Sequence, residues 1–262
     1  MPWLSRGLTN GVVTTRYPRR NDDYGKTFKA AVSVRVHETK PDHDVIANCI
    51  DLCPTGAISS TDQGSLQLDR GSCIVCGFCV QSFPEFFEFS HLLELAASSK
   101  KQLMMPYIEE SAENIKAIRS ELAERVRSLK RSVHIRHIDA GSDGSEEWEI
   151  NALLNPIYDV NRLGIYFSAS PRHADIALVS GVGTLGMQSA LEDTLEAMPE
   201  PKVVIAVGTD AIAGGLVHPS YSTYAGIGTS LPVDIWVPGS PPSPFTILHA
   251  ILLAIGKDNG TR

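Results

Sequence analysis

All five cysteines of the 262-residue chain lie between Cys49 and Cys79, and this window constrains the fold more than any other feature. Cys73, Cys76 and Cys79 form a C-x2-C-x2-C run; Cys53 stands upstream in Cys53-Pro54-Thr55-Gly56, and Cys49 precedes it. Cysteines gathered in one short window serve a site rather than a disulfide scaffold, which points to a reducing compartment. Thiolates are soft donors suited to zinc or to iron–sulfur clusters. Zinc ligands usually arrive as two separated C-x2-C pairs. Three thiolates at two-residue gaps wrap one corner of an iron–sulfur cube instead. Iron–sulfur is the favoured reading, with zinc and a disulfide frame as the alternatives.

The length allows two modest domains, each with its own core. A net charge of −7, with no Lys/Arg cluster, argues against a nucleic-acid partner. No signal-peptide apolar region opens the chain, and no apolar run approaches the roughly 18 residues of a membrane span. The expectation is a protein with no membrane span of its own.

Residues 1–30 show no strong period and read as an extended arm, or a disordered tail. From Ala31 to Val36 the pattern alternates like a strand. Ala57–Ser60 and Ser65–Asp69 make a hairpin around Thr61-Asp62-Gln63-Gly64. A helix is expected over residues 107–131: Ile115, Ile118, Leu122, Val126 and Leu129 form one apolar stripe. Glu109, Glu110 and Glu113 crowd its start, and Arg127, Lys130 and Arg131 its end, which matches the helix dipole. From Val133 strands alternate with helices. Strands are expected at 133–138, 164–168, 175–180, 203–207 and 234–237, and helices at 187–198 and 245–255. Runs rich in Val, Ile and Ala between helices imply a parallel sheet covered on both faces, with sites at the C-terminal strand ends.

Two loops in this part carry hypotheses. Gly181-Val182-Gly183-Thr184-Leu185-Gly186 matches a dinucleotide fingerprint, with Asp210 as the acidic residue further on, though glycines also serve tight turns. Pro238-Gly239-Ser240-Pro241-Pro242-Ser243-Pro244 reads as a rigid loop, with Pro244 suited to the first turn of the last helix. His173 and His218 have no ligand spacing and read as surface or hydrogen-bonded histidines.

The cysteine segment resembles a bacterial-type ferredoxin, whose fourth cysteine in each run serves the other run's cluster. The resemblance implies one complete ligand set, Cys53, Cys73, Cys76 and Cys79, for one [4Fe–4S] cluster. The second site is vacated: Cys49 is left with His43, Ile46 and Phe83 at the other three places. The third part resembles the small (20 kDa-type) subunit of energy-converting [NiFe]-hydrogenases and respiratory complex I. The matching segments are His137–Ser142, Glu149-Ile150, Ser170–Ile176, Val207-Gly208, Gly214-Gly215 and Pro238–Pro242. The arm Gly11–Pro18 resembles the ferredoxin subunit of the same complexes, so the chain looks like a fusion of two neighbouring subunits.

That resemblance implies four parts: an arm (1–30), a ferredoxin-like domain (31–100), a helical linker (101–132) and a flavodoxin-like parallel α/β domain (133–262). It also implies a large subunit and membrane-arm subunits as partners, an electron-donor protein, and a cytoplasmic location on the inner membrane face. The family's proximal cluster needs four more cysteines, and this chain has none beyond Cys79. At the matching places stand Asp143, Glu146, Asp210 and Ser240, which are hard oxygen donors. A normal proximal cluster is therefore not expected. The four positions read as a collapsed or water-filled pocket, a hard-cation site, or a proton-handling carboxylate cluster. The functional expectation is an iron–sulfur electron-transfer subunit of such an oxidoreductase complex. The alternatives are a non-redox assembly subunit and a nucleotide-binding oxidoreductase.

Overall fold

The computed structural model describes residues 2–20, 25–35, 41–106, 112–126, 132–217 and 219–257. The largest unit is a five-stranded parallel sheet. It comprises β6 (Val133–Asp139), β7 (Ile165–Phe167), β8 (Ile176–Ser180), β9 (Val203–Val207) and β10 (Ile235–Val237), in the spatial order β10-β9-β8-β6-β7. Counted from β6, this is the 2-1-3-4-5 order of flavodoxin-like folds, with its switch point between β6 and β8.

Side chains alternate across the strands and divide the core in two. Ile135, Ile176, Leu178, Ile205 and Val207 face α5 (Ser145–Ala152) and α8 (Pro244–Ala254). Ile138, Val179, Val204 and Ala206 face α6 (Leu185–Glu196) and α7 (Gly208–Ala213). All eleven residues of α8 are buried. A helix apolar on every side needs cover on its outer face as well. Tyr17, Ala96, Leu122 and Val126, all from earlier in the chain, share its cluster.

The earlier part builds two small antiparallel sheets. β1 (Ala31–Val34) pairs with β4 (Phe87–Ser90), and β2 (Ile58–Ser60) pairs with β3 (Leu66–Asp69), which carries β5 (Met104–Met105) on its far side. α2 (His43–Leu52) and α3 (Phe78–Ser82) flank them. Hydrogen bonds between Ala97 and Trp236, at 2.9 and 2.8 Å, stitch the segment after β4 to the β10 edge. Lys100 reinforces that join, donating to the Ile212 carbonyl at 3.0 Å with its ammonium over the Trp236 ring.

Ala112–Arg125 forms α4, and Leu122 within it and Val126 just beyond it are buried in the same hydrophobic cluster as α8. The outer parts of the expected 107–131 helix, with Glu109, Glu110, Arg127, Leu129, Lys130 and Arg131, lie outside the described residues, as does His218. The opening segment differs from an extended arm. Pro2–Asn10 forms α1, with Pro2 in its first turn and Leu4 and Leu8 one turn apart on an exposed surface. Beyond it the chain is held by Thr15 N–H on the Ile157 carbonyl at 2.7 Å and then turns, with Arg19 N–H on the Arg16 carbonyl at 2.9 Å.

Candidate functional site

Two loops bring four cysteines to one cavity. Cys53 ends α2, Cys73 and Cys76 lie in the loop after β3, and Cys79 sits in α3; all four line the same pocket with Pro54, Thr55 and Ile74. Burial pushes the Cys73 thiol up to about 12, and the nearby Cys79, Cys53 and Cys76 charges push the same way. Cys79 is raised to about 11 by burial, with Cys76 and Cys53 contributing. Backbone amides already point at sulfur: Ala57 N–H reaches Cys53 Sγ at 3.3 Å and Val75 N–H reaches Cys73 Sγ at 3.4 Å. Val75 holds a left-handed φ of 56°, an unusual conformation for a β-branched residue. That conformation keeps its N–H facing back into the loop.

Of the residues expected at a vacated second site, Ile46, Cys49 and Phe83 pack into one core. Cys49 is fully buried in a core with Ile46, Leu66, Leu68 and Phe87, and Phe83 packs against that core. The His43 side chain points into solvent instead of toward Cys49. Burial, then the Glu85 charge, raises the Cys49 thiol to about 11, as expected of an unreactive leftover thiol.

Asp143, Glu146, Asp210 and Ser240, the positions expected to stand in for cluster ligands, follow the C-terminal ends of β6, β9 and β10. Asp143 is exposed, Asp210 is half-buried and Glu146 is fully buried in the first turn of α5. Glu146 Oε2 accepts from the Ser145 hydroxyl at 3.1 Å, whereas its buried Oε1 has no partner. Burial raises its carboxyl to about 7, with the Asp210 and Asp143 charges adding to the rise. Asp210 is raised by burial and then by Asp143. Asp143 itself is lowered by hydrogen bonds from Ser145. Two glycines make room for these carboxyls. A Cβ on Gly208 would stand 2.4 Å from Glu146 Oε1, and one on Gly215 would stand 1.8 Å from Asp210 Oδ1.

Ser240 is at the same end of the sheet, its loop tied to α7 by Thr209 N–H on the Gly239 carbonyl at 2.8 Å. Its side chain is exposed and lines a different space. That is a cavity of about 510 Å³ bounded by Ile74 and Val75 of the cysteine loop and by Lys29, Glu149, Tyr158 and Phe245. Three of the four positions therefore form one electrostatic group, and the fourth opens beside it. Among the described residues, no three His, Cys, Asp or Glu side chains are arranged to hold a single metal ion. A direct link joins the two areas: the Thr209 hydroxyl donates to the Cys73 carbonyl at 3.1 Å.

The glycine loop after β8 is occupied by the protein itself. Val182 N–H bonds Gly141 O, Thr184 N–H bonds Ala140 O and Leu185 N–H bonds Ser222 O. Backbone amides that would cradle a phosphate are thus committed. Gly181 serves close approach instead, since a Cβ there would lie 2.6 Å from the Gly141 carbonyl carbon. His173 is on the surface.

One network was not anticipated from sequence. Glu147 receives hydrogen bonds from Ser142 (2.8 Å) and from the buried Ser180, which also bonds His137 Nε2 at 2.9 Å. Burial lowers His137, against the opposing pull of Glu147. Ser180 has no exposed surface, so this group braces the β6 and β8 ends rather than presenting a nucleophile.

A parallel sheet in flavodoxin-like order, with polar loops gathered at its C-terminal edge, defines an α/β subunit whose site is shared among several strand ends. The chain belongs to the family described as NADH ubiquinone oxidoreductase, 20 Kd subunit, which matches residues 144–254. It is 38% identical over 142 residues to a probable membrane-bound hydrogenase subunit (mbhJ) of Pyrococcus furiosus, covering 54% of this chain and 85% of that one. It is 36% identical over 140 residues to formate hydrogenlyase subunit 7 of Escherichia coli K12; this covers 53% of the chain and only 55% of that relative. Among solved structures, the membrane-bound sulfane sulfur reductase, an archaeal respiratory membrane complex, matches with a TM-score of 0.44 and 29% identity. That match covers 52% of this chain and 76% of the other. No helix among the described residues is long and apolar enough to cross a membrane.

Proposed function

We propose that the chain is the iron–sulfur electron-transfer subunit of a membrane-associated complex related to hydrogenases and complex I. One [4Fe–4S] cluster would be held by Cys53, Cys73, Cys76 and Cys79, and the family's proximal cluster is lost. The observation that carries this reading is that cysteines from two separate loops line one pocket. The donor set fits. Four soft sulfurs crowded together repel as thiolates unless a cationic core lies between them, and a cube places its ligands at corners rather than around one ion. When bound, such a cluster supplies one-electron transfer.

The chain's own residues set the surroundings. Amides of Ala57 and Val75 donate toward sulfur and favour its charged form. Val32, Ile58 and Leu68 give the pocket a buried apolar side, and Phe78 stands exposed at its rim. Thr209 fixes the loop against the α/β domain through the Cys73 carbonyl. The parts at 1–30, 31–100, 101–132 and 133–262 would act as arm, ferredoxin-like carrier, linker and docking domain.

A large subunit would cover the strand-end face, where Trp148, Leu216 and Tyr221 are left exposed. Membrane-arm subunits would anchor the assembly at the inner membrane face, with a donor protein serving the ferredoxin-like domain. The test is iron and acid-labile sulfide analysis on anaerobically purified chain, with visible spectra before and after dithionite. About four of each per chain and a reducible absorbance are expected. Eight of each would contradict the ligand assignment. Absence of a reducible cluster would favour an assembly role instead.

A further inference from the structure

The Glu146 carboxyl is unlike the other acids of the chain. It has no exposed surface, one of its oxygens has no partner, and that oxygen faces the Gly208 backbone at the head of the helix carrying Asp210. The charges that act on it are both acidic: Asp210, from α7, and Asp143, from the loop before its own helix. The next acid on α5, Glu147, turns the other way to Ser142, Ser180 and His137. No Lys or Arg is among the groups acting on Glu146. An ionised carboxylate buried with an unmet oxygen and two acidic neighbours needs either a cation or a proton. Among the described residues these side chains are not arranged to hold a metal ion. A proton needs only the one oxygen.

We propose that Glu146 is a proton-binding site that exchanges one proton with solvent, with Asp143 as its outer and Asp210 as its inner partner. The step is balanced as a transfer of one proton: an exposed Asp143 carboxylate accepts it from a hydronium ion, leaving water, and passes it to the Glu146 carboxylate, which becomes a neutral acid. Asp210, half-buried between Glu146 and the Gly215 turn, receives it when Glu146 ionises. This site does not depend on the iron–sulfur reading. It lies at the C-terminal strand ends, where the chain has oxygen donors in place of the family's cluster ligands.

The test is infrared difference spectroscopy of the purified full chain, following the carbonyl band of a protonated carboxyl from about pH 5 to about pH 9, in water and in deuterium oxide. One such band is expected to persist to near neutral pH, to shift on deuteration, and to be missing in Glu146→Gln. In Asp210→Asn, where Glu146 is intact, the band should vanish at lower pH because a neighbouring negative charge is gone. Absence of a band titrating near neutral pH in the unaltered chain would overturn the proposal. So would a band that survives in a folded Glu146→Gln, or one whose titration is indifferent to Asp210→Asn.

Discussion

Replacing Glu146 by glutamine should change the pH dependence of stability in a calculable way. The Glu146 carboxyl is raised from its usual 4.5 to about 7, chiefly by burial. A group whose folded-state pKa is raised holds more protons in the folded than in the unfolded chain between those two values. Stability therefore falls as pH rises across that window and levels off above it. At about 1.4 kcal/mol per pH unit, the rise corresponds to about 3 kcal/mol. Glutamine cannot ionise, so this component should vanish. Near pH 4.5 the two proteins should be similar, apart from the fit of the amide. Near pH 8 the variant should be the more stable by up to about 3 kcal/mol. Asp210 is raised too and adds a slope of the same sign. The lowered His137 adds one of opposite sign, because its folded form resists protonation as pH falls. The His137 slope remains in the variant and cancels in the difference, whereas Asp210, whose charge acts on Glu146, is relieved of the reciprocal charge, so part of its slope disappears with the carboxyl. Urea unfolding of both proteins at half-unit pH steps, followed by circular dichroism, gives the comparison. Parallel curves, or a variant that is less stable at every pH, would refute the reasoning.

Cys49→Ala removes a thiol from a packed core and should cost roughly 1 kcal/mol while leaving the visible spectrum of the bound cluster unchanged; Cys73→Ala should abolish that spectrum. Gly215→Ala forces a methyl against Asp210 Oδ1 at a left-handed backbone position, so a loss of about 2 kcal/mol or more is expected in thermal melts. Adding Asp210→Ala should recover part of it. Leu122→Ala should cost about 2–5 kcal/mol, measurable by denaturant titration, because that side chain helps to cover α8.

The sheet was legible in the sequence because parallel strands buried on both faces leave near-continuous Val, Ile and Ala runs. All five expected strands and the helix over 244–254 occur within one residue at each end, and the helix over 185–196 starts and ends two residues earlier than expected. The hairpin at 58–69 was legible too, from the turn around Gly64. Short elements were not. α5 has eight residues and α7 six, too few turns for an apolar period to emerge. The glycine loop after β8 was ambiguous because glycine permits close approach to a phosphate and to a neighbouring backbone alike; here the neighbour is Gly141. The braced set of His137, Glu147 and Ser180 joins residues up to 43 apart in sequence, and no local pattern marks it. Position matching located the carboxylates, but which of them is buried depends on how α5 lies against Gly208. Sequence spacing cannot supply that.

A metal cluster shared by several loops is also a crosslink, so the proposed loss of the proximal cluster requires that those loops be held by other means. Here hydrogen bonds and close backbone contacts provide it. The loop after β6 is joined to the loop after β8 by the Thr184–Ala140 and Val182–Gly141 bonds and by the Gly141–Gly181 contact. The loop after β10 is joined to α7 by Thr209 N–H on Gly239. The Asp143 side chain turns back to receive Ser145 N–H at 2.9 Å and sets the start of α5. Among the described residues, Glu146 alone has a buried side-chain oxygen without a hydrogen-bond partner. Had the pocket merely been filled for stability, an apolar side chain of similar size would fit against Gly208 without burying a carboxyl. A carboxyl that survives there, with its proton affinity brought near neutrality, does something a leucine cannot. It can take up and release a proton one peptide away from Thr209, the residue that bonds the cysteine loop.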